Sequence, residues 1–157
     1  MGFVADTPTQ SEIPIVNGGT GGGFWPDIDP QHCRSVMRLD QSITPERLRD
    51  ALVNAMLAIN LDNAVWGAQQ QVDGHATLAD VSDQQLDEKN VNVSLYQRAV
   101  YCRAKADLLE RYADYDSTGS GNQRADQLNA SVDDYRRQSI NAIGHLTGSA
   151  TTGAVLL

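Results

Sequence analysis

Two helix starts of the same construction stand near the front of this chain, and they constrain its fold more than any other feature. At Ile28-Asp29-Pro30 and again at Ile43-Thr44-Pro45, an apolar residue precedes an oxygen-bearing cap and then a proline. The cap side chain takes an orphan N–H of the first turn, and proline fits the first helical position because its missing N–H had no partner there. Each isoleucine is placed to close over the fourth helical residue, Cys33 in one helix and Leu48 in the other, as a hydrophobic staple. The chain thus enters two helices at fixed angles. The residues before these starts read as an arm, and the residues after them read as helices.

The apolar periods downstream agree. From Pro45 to about Val65, Leu48, Ala51, Leu52, Ala55, Met56, Ile59 and Trp66 recur at i, i+3, i+4 and i+7. Leu57, Leu61 and Val65 broaden this stripe into an apolar surface wider than one core contact needs. A third helix is expected from about Asn90 to Tyr115, about 39 Å at 1.5 Å per residue. Its stripe is Leu95, Ala99, Cys102, Ala106, Leu109 and Ala113, and the small members let another helix come close. A fourth comes after a Ser120-x-x-Gln123 capping box and buries Ala125, Leu128, Val132, Tyr135, Ala142, Ile143 and Leu146. The acidic stretch Gly67–Lys89 has weak periodicity and reads as a long connection, with one helical turn after Ser82-x-x-Gln85. The expected fold class is all-α, with about four helices, three of them long.

This pattern divides the chain into three segments. Residues 1–23, with Gly18-Gly19-Thr20-Gly21-Gly22-Gly23, form a flexible arm, because such glycine density is costly to order without a partner. Ile13–Val16 within it suit an extended segment that pairs with a neighbouring subunit. The glycines do not make a phosphate loop, since no Lys-Ser/Thr comes after them and Phe24-Trp25-Pro26 cannot open a helix beneath one. Residues 24–146 form the helical domain. Residues 147–157 form an apolar tail ending in Val155-Leu156-Leu157, suited to docking on another surface.

The 157 residues suffice for one core, and 41% hydrophobic against 20% charged is a globular composition. No apolar run is long enough to span a membrane and no signal peptide is expected, which points to the cytoplasm of the producing cell. A net charge of -8 disfavours tight binding to a nucleic-acid backbone, although an acidic wall lets a duplex slide past. Cys33 and Cys102 have no metal or redox spacing and read as small buried apolar residues. Asp27 and Asp29 form a near pair, but Asp29 is explained as a cap and no further ligand accompanies them. His32, His75 and His145 stand apart, and no nucleophile elbow or Walker loop occurs. No catalytic residue, cofactor or metal is expected, and the chain reads as a non-enzyme.

The run Phe24 to Pro30, the block Met-Arg-Leu-Asp-Gln-Ser-Ile-Thr-Pro-Glu-Arg-Leu-Arg from Met37 to Arg49, and Tyr96-Gln97-Arg98-Ala99-Val100 leading to Leu109-Glu110-Arg111-Tyr112 carry a resemblance. Across about residues 24–146 the chain resembles the head completion proteins of peduovirus-type tailed phages. The resemblance implies a structural connector in the virion neck, assembled in the bacterial cytoplasm. It would form a ring of copies, dodecameric by expectation, beneath the portal protein, sealing the DNA-filled capsid and receiving a tail terminator or other neck protein. DNA would be only passing cargo, and no membrane is involved. The candidate partner contacts are Phe24, Trp25, Asp27, Trp66, Tyr112, Val155, Leu156 and Leu157. For Phe24 and Trp25 two readings stand, a plug in the domain's own core or an anchor in a partner's pocket. The competing reading of the whole chain is a small acidic helical binding or regulatory module acting as monomer or dimer.

Overall fold

The computed structural model describes residue 2, residues 9–113 and residues 121–149. In order the elements are α1 (Pro30–Val36), α2 (Pro45–Asp62), α3 (Ala64–Val72), a 3-10 turn (Leu78–Val81), β1 (Gln85–Leu86), β2 (Lys89–Asn90), α4 (Val91–Ala113) and α5 (Gly121–Thr147). The fold is all-α apart from one antiparallel pair of two-residue strands.

Both proline starts are built as their chemistry requires. The Asp29 carboxylate accepts the Gln31 N–H at 2.9 Å, and the Thr44 hydroxyl oxygen accepts the Arg47 N–H at 3.3 Å. The staple residues Ile28, Cys33, Ile43 and Leu48 are all buried. Between the two helices, the Arg34 guanidinium donates to the carbonyls of Asp40 (2.7 Å) and Ile43 (2.8 Å), which fixes the turn that joins them.

α4 is the central element. Tyr96, Ala99, Val100, Tyr101, Cys102, Ala104, Ala106 and Leu108 are buried, so it is covered around most of its circumference. α5 runs antiparallel along it: Ser139 donates to the Ala99 carbonyl at 2.8 Å, Arg98 donates to Gln138 at 2.9 Å, and Arg136 pairs with Glu110. The small Ala99 and Cys102 allow this approach. α2 is also antiparallel to α4, with Asn60 bonded to Tyr96 at one end and Asp50 at 3.7 Å from Arg111 at the other. Cys33 and Cys102 are buried free thiols, as their apolar reading requires.

The structure adds a fifth helix. The stretch read as one helix to about Val65 breaks at Asn63, whose side-chain amide donates to the Ile59 carbonyl at 2.8 Å while its backbone closes α2. The chain restarts as α3 and carries Trp66 towards Phe24 and Trp25. The connection after α3 is also better ordered than its composition suggests. Its helical turn lies before Ser82, not after it: the Asp80 carboxylate accepts both the N–H and the hydroxyl of Thr77, and Ser82 instead accepts the Gln84 N–H. Asn90 then joins turn, hairpin and helix. Its amide donates to the carbonyls of Ala79 and Ser82, and its oxygen accepts the N–H groups of Asn92 and Val93 at the start of α4.

The second half of the expected arm is packed on the helical body. Ile15 is buried and exchanges two backbone hydrogen bonds with Ile28, at 2.7 and 3.0 Å, so the extended segment pairs within its own chain. The glycines after it close a tight loop. A Cβ on Gly23 would lie 2.3 Å from the Asn17 carbonyl oxygen, and only glycine permits that approach. Ser120 and the Gln123 side chain of the expected box, the turn before them and the tail from residue 150 lie outside the described residues.

Candidate assembly surfaces

Three side chains distant in sequence hold the N-terminal segment on the body. The Asn17 amide donates to the Tyr96 hydroxyl (2.7 Å), that hydroxyl donates to Asn60 Oδ1 (2.7 Å), and the Asn60 amide donates back to Asn17 Oδ1 (2.8 Å). The Asn17 amide also reaches the Pro26 carbonyl, and its backbone N–H is accepted by Asp27 at 2.8 Å. A closed cycle of this kind satisfies every buried polar atom in it, which is the condition for burial not to cost stability. Burial pushes the Tyr96 phenol well above its ordinary value, against a smaller opposing effect of the hydrogen bonds to Asn17 and Asn60. The group is a neutral structural tie.

Over this cycle lies an aromatic cluster. Trp25 stacks on Tyr96 at 5.3 Å and on Trp66 at 6.1 Å, and Phe24 meets Trp25 edge-on at 4.9 Å. Gly67 makes room for it, since a Cβ there would sit 3.1 Å from the Trp25 ring. Of the two readings of Phe24 and Trp25, the geometry is that of the core plug: Phe24 is buried and Trp25 and Trp66 are half-buried against each other. Asp27 is exposed, but its carboxylate is engaged by Asn17. The structure therefore brings Phe24, Trp25, Asp27 and Trp66 together at one end of α2. Val155, Leu156, Leu157 and the Tyr112 side chain lie outside the described residues.

Apolar surface remains open elsewhere. Val53, Leu57 and Leu61 on α2 are 43, 55 and 66% exposed, and Val65 and Val72 on α3 are exposed too. The broad face expected of α2 is thus half core and half surface. Leu86 and Val36, which no periodicity singled out, are also exposed. Among the described residues no three His, Cys, Asp or Glu side chains gather to hold a metal, and no helix is long and apolar enough to cross a membrane. The His32 ring nitrogen meets the Tyr101 hydroxyl at 2.8 Å, a contact that joins α1 to α4.

A fold that ties this aromatic cluster inward and leaves apolar helix faces outward is suited to assembly. The family model described as phage head completion protein (GPL) matches residues 20–157, most of the chain. The chain belongs to this family. A head completion/stabilization protein of Escherichia phage P2 is 35% identical over 125 residues, 80% of this chain and 74% of that protein. A probable head completion/stabilization protein of Haemophilus phage HP1 (strain HP1c1) is 29% identical over 93 residues, 59% of this chain and 62% of the relative. No solved structure matches the chain. As a head completion protein it is a phage structural component, and the Phe24–Pro30, Met37–Arg49 and Tyr96–Tyr112 blocks all lie within the matched range. In the fold the first two blocks form the twin starts with their fixed turn, and the third covers most of α4, beginning at Tyr96, to which the N-terminal segment is tied.

Proposed function

We propose that this head completion protein is a non-enzymatic adaptor that assembles as a ring of copies beneath the portal, seals the filled capsid and offers the surface to which the tail attaches. The observation that carries the reading is the family match over residues 20–157. The exposed apolar faces of α2 and α3 support it, because a chain that works as an isolated monomer has little reason to keep them. In this reading the apolar tail, Val155-Leu156-Leu157, reaches a partner, and DNA passes an acidic ring without being held. The test is a phage from which the chain is deleted. Its heads package DNA but lose it on purification and take no tails, and the chain supplied separately restores both. Stable, tailed virions without the chain would overturn the proposal.

A further inference from the structure

A groove of about 380 Å³ lies between α1, the β1–β2 hairpin and the first half of α4. Val36, Met37, Leu86 and Leu95 give it an apolar lining, and Lys89 and Arg98 stand at its rim. None of the residues lining it is acidic. In a chain of net charge -8 the lining itself is cationic, while Asp87 and Glu88 lie at the hairpin turn between Leu86 and Lys89. Lys89 makes no ion pair among the described residues, and Arg98 meets only the neutral Gln138. Leu86, 69% exposed, is held beside the groove by a two-residue turn in which Asp87 and Glu88 both take positive φ, 50° and 59°.

The exposed row of α2 has the opposite character. Val53, Leu57 and Leu61 repeat every four residues, and Asp50 and Asp62 flank them. Asp62 makes no ion pair among the described residues, and Asp50 has its 3.7 Å approach to Arg111 and accepts the Asn54 amide at 3.3 Å. The row is about 12 Å long at 1.5 Å per residue, and the α4 residues that line the groove, Val91 to Tyr101, cover about 15 Å on the same measure. Row and groove share no residue, so one copy can use both at once.

We propose that the α2 face of one copy seats in this groove of the next, with Leu57 and Leu61 on the apolar lining and the flanking carboxylates against Lys89 and Arg98. The occupant is a second copy of this chain, because the acidic ends of the row meet the one cation-rimmed apolar groove described on a strongly acidic molecule. Such a contact joins unlike faces and so propagates from copy to copy. It rests on the ring reading and names the two surfaces that would make the ring.

The test is sedimentation velocity on the full chain, alone at rising concentration and with the portal protein, for wild type, Leu57→Asp and Leu86→Asp. Both sites are exposed, and circular dichroism checks that each variant folds. Wild type assembles, whereas each variant stays monomeric, with association weakened at least about tenfold. An equimolar mixture of the two gives a one-to-one dimer and nothing larger, since only one intact row and one intact groove remain. Lys89→Glu weakens assembly, and adding Asp62→Lys in the same chain restores it. Variants that assemble as wild type does would overturn this inference and leave the ring reading standing. A wild type that stays monomeric even with portal would overturn both.

Discussion

Single side chains decide how the N-terminal segment meets the body. Truncating Asn17 takes away the donor to the Tyr96 hydroxyl, which keeps its bond to Asn60, and leaves the part-buried Asn60 amide without its acceptor, so Asn17→Ala should cost about 1–3 kcal/mol, measured by urea unfolding. Cys33 offers a second check. Burial first, and then proximity to Cys102, pushes its thiol up to about 12. Because the native pKa is raised, the unfolded thiol ionises first as pH climbs. The stabilisation is complete below the ordinary thiol range, about 8.5, and is lost as pH rises towards 12. Unfolding curves across that window should fall more steeply for wild type than for Cys33→Ala, and a thiol reagent should label native Cys33 no faster than the chain opens. The caps at Asp29 and Thr44 were legible in the sequence because a cap acts on residues two or three positions away. The Asn17–Asn60–Tyr96 cycle was not, because its members lie 43, 36 and 79 residues apart and asparagine carries no periodic signal.

At the scale of elements, local chemistry overrode the apolar period in two places. Trp66 continues the stripe of α2, so the sequence reads as one helix through it, yet the Asn63 side chain takes the Ile59 carbonyl and lets the chain turn into α3. In the connection the expected Ser82-x-x-Gln85 turn gives way to one on Thr77 and Asp80, with two hydrogen bonds to one carboxylate. The hairpin carries strain that can be relieved. Glu88 holds φ 59° where glycine is preferred, so Asp87→Asn with Glu88→Gly, the favoured pair for such a turn, should stabilise the chain by about 0.5–1 kcal/mol. Thermal melts should show a rise of about 1–4 °C in Tm. An unchanged or lower Tm would mean that the acidic tip makes contacts that offset its backbone cost. The glycine run, read as a flexible linker, closes a fixed loop because Gly23 and Asn17 approach more closely than any Cβ allows. Composition alone does not distinguish glycine that gives freedom from glycine that permits contact.

At the scale of the whole molecule, the all-α class and the three long helices were legible because their periods run over many turns. Which apolar residues would stay outside was legible only in part. The width of the α2 stripe announced more apolar surface than one core could cover, and Leu57, Leu61 and Val65 are exposed. Phe24 and Trp25 also suited a partner's pocket, yet Tyr96 and Trp66 hold them at home. In the proposed adaptor, an inward aromatic tie would keep the subunit rigid while the α2 and α3 faces remain for neighbours. In the proposed reading, in which the tail serves a partner, removing residues 150–157 should leave the melting temperature within about 2 °C of wild type, a change of about 0.5 kcal/mol, while weakening capture by portal. The most direct measurement of the central claim is the mass of the purified full chain by light scattering, alone and then mixed with the portal protein of the same phage. The expected result is a closed multimer of this chain carried on the portal. A stable monomer or dimer whose mass is indifferent to portal would contradict it.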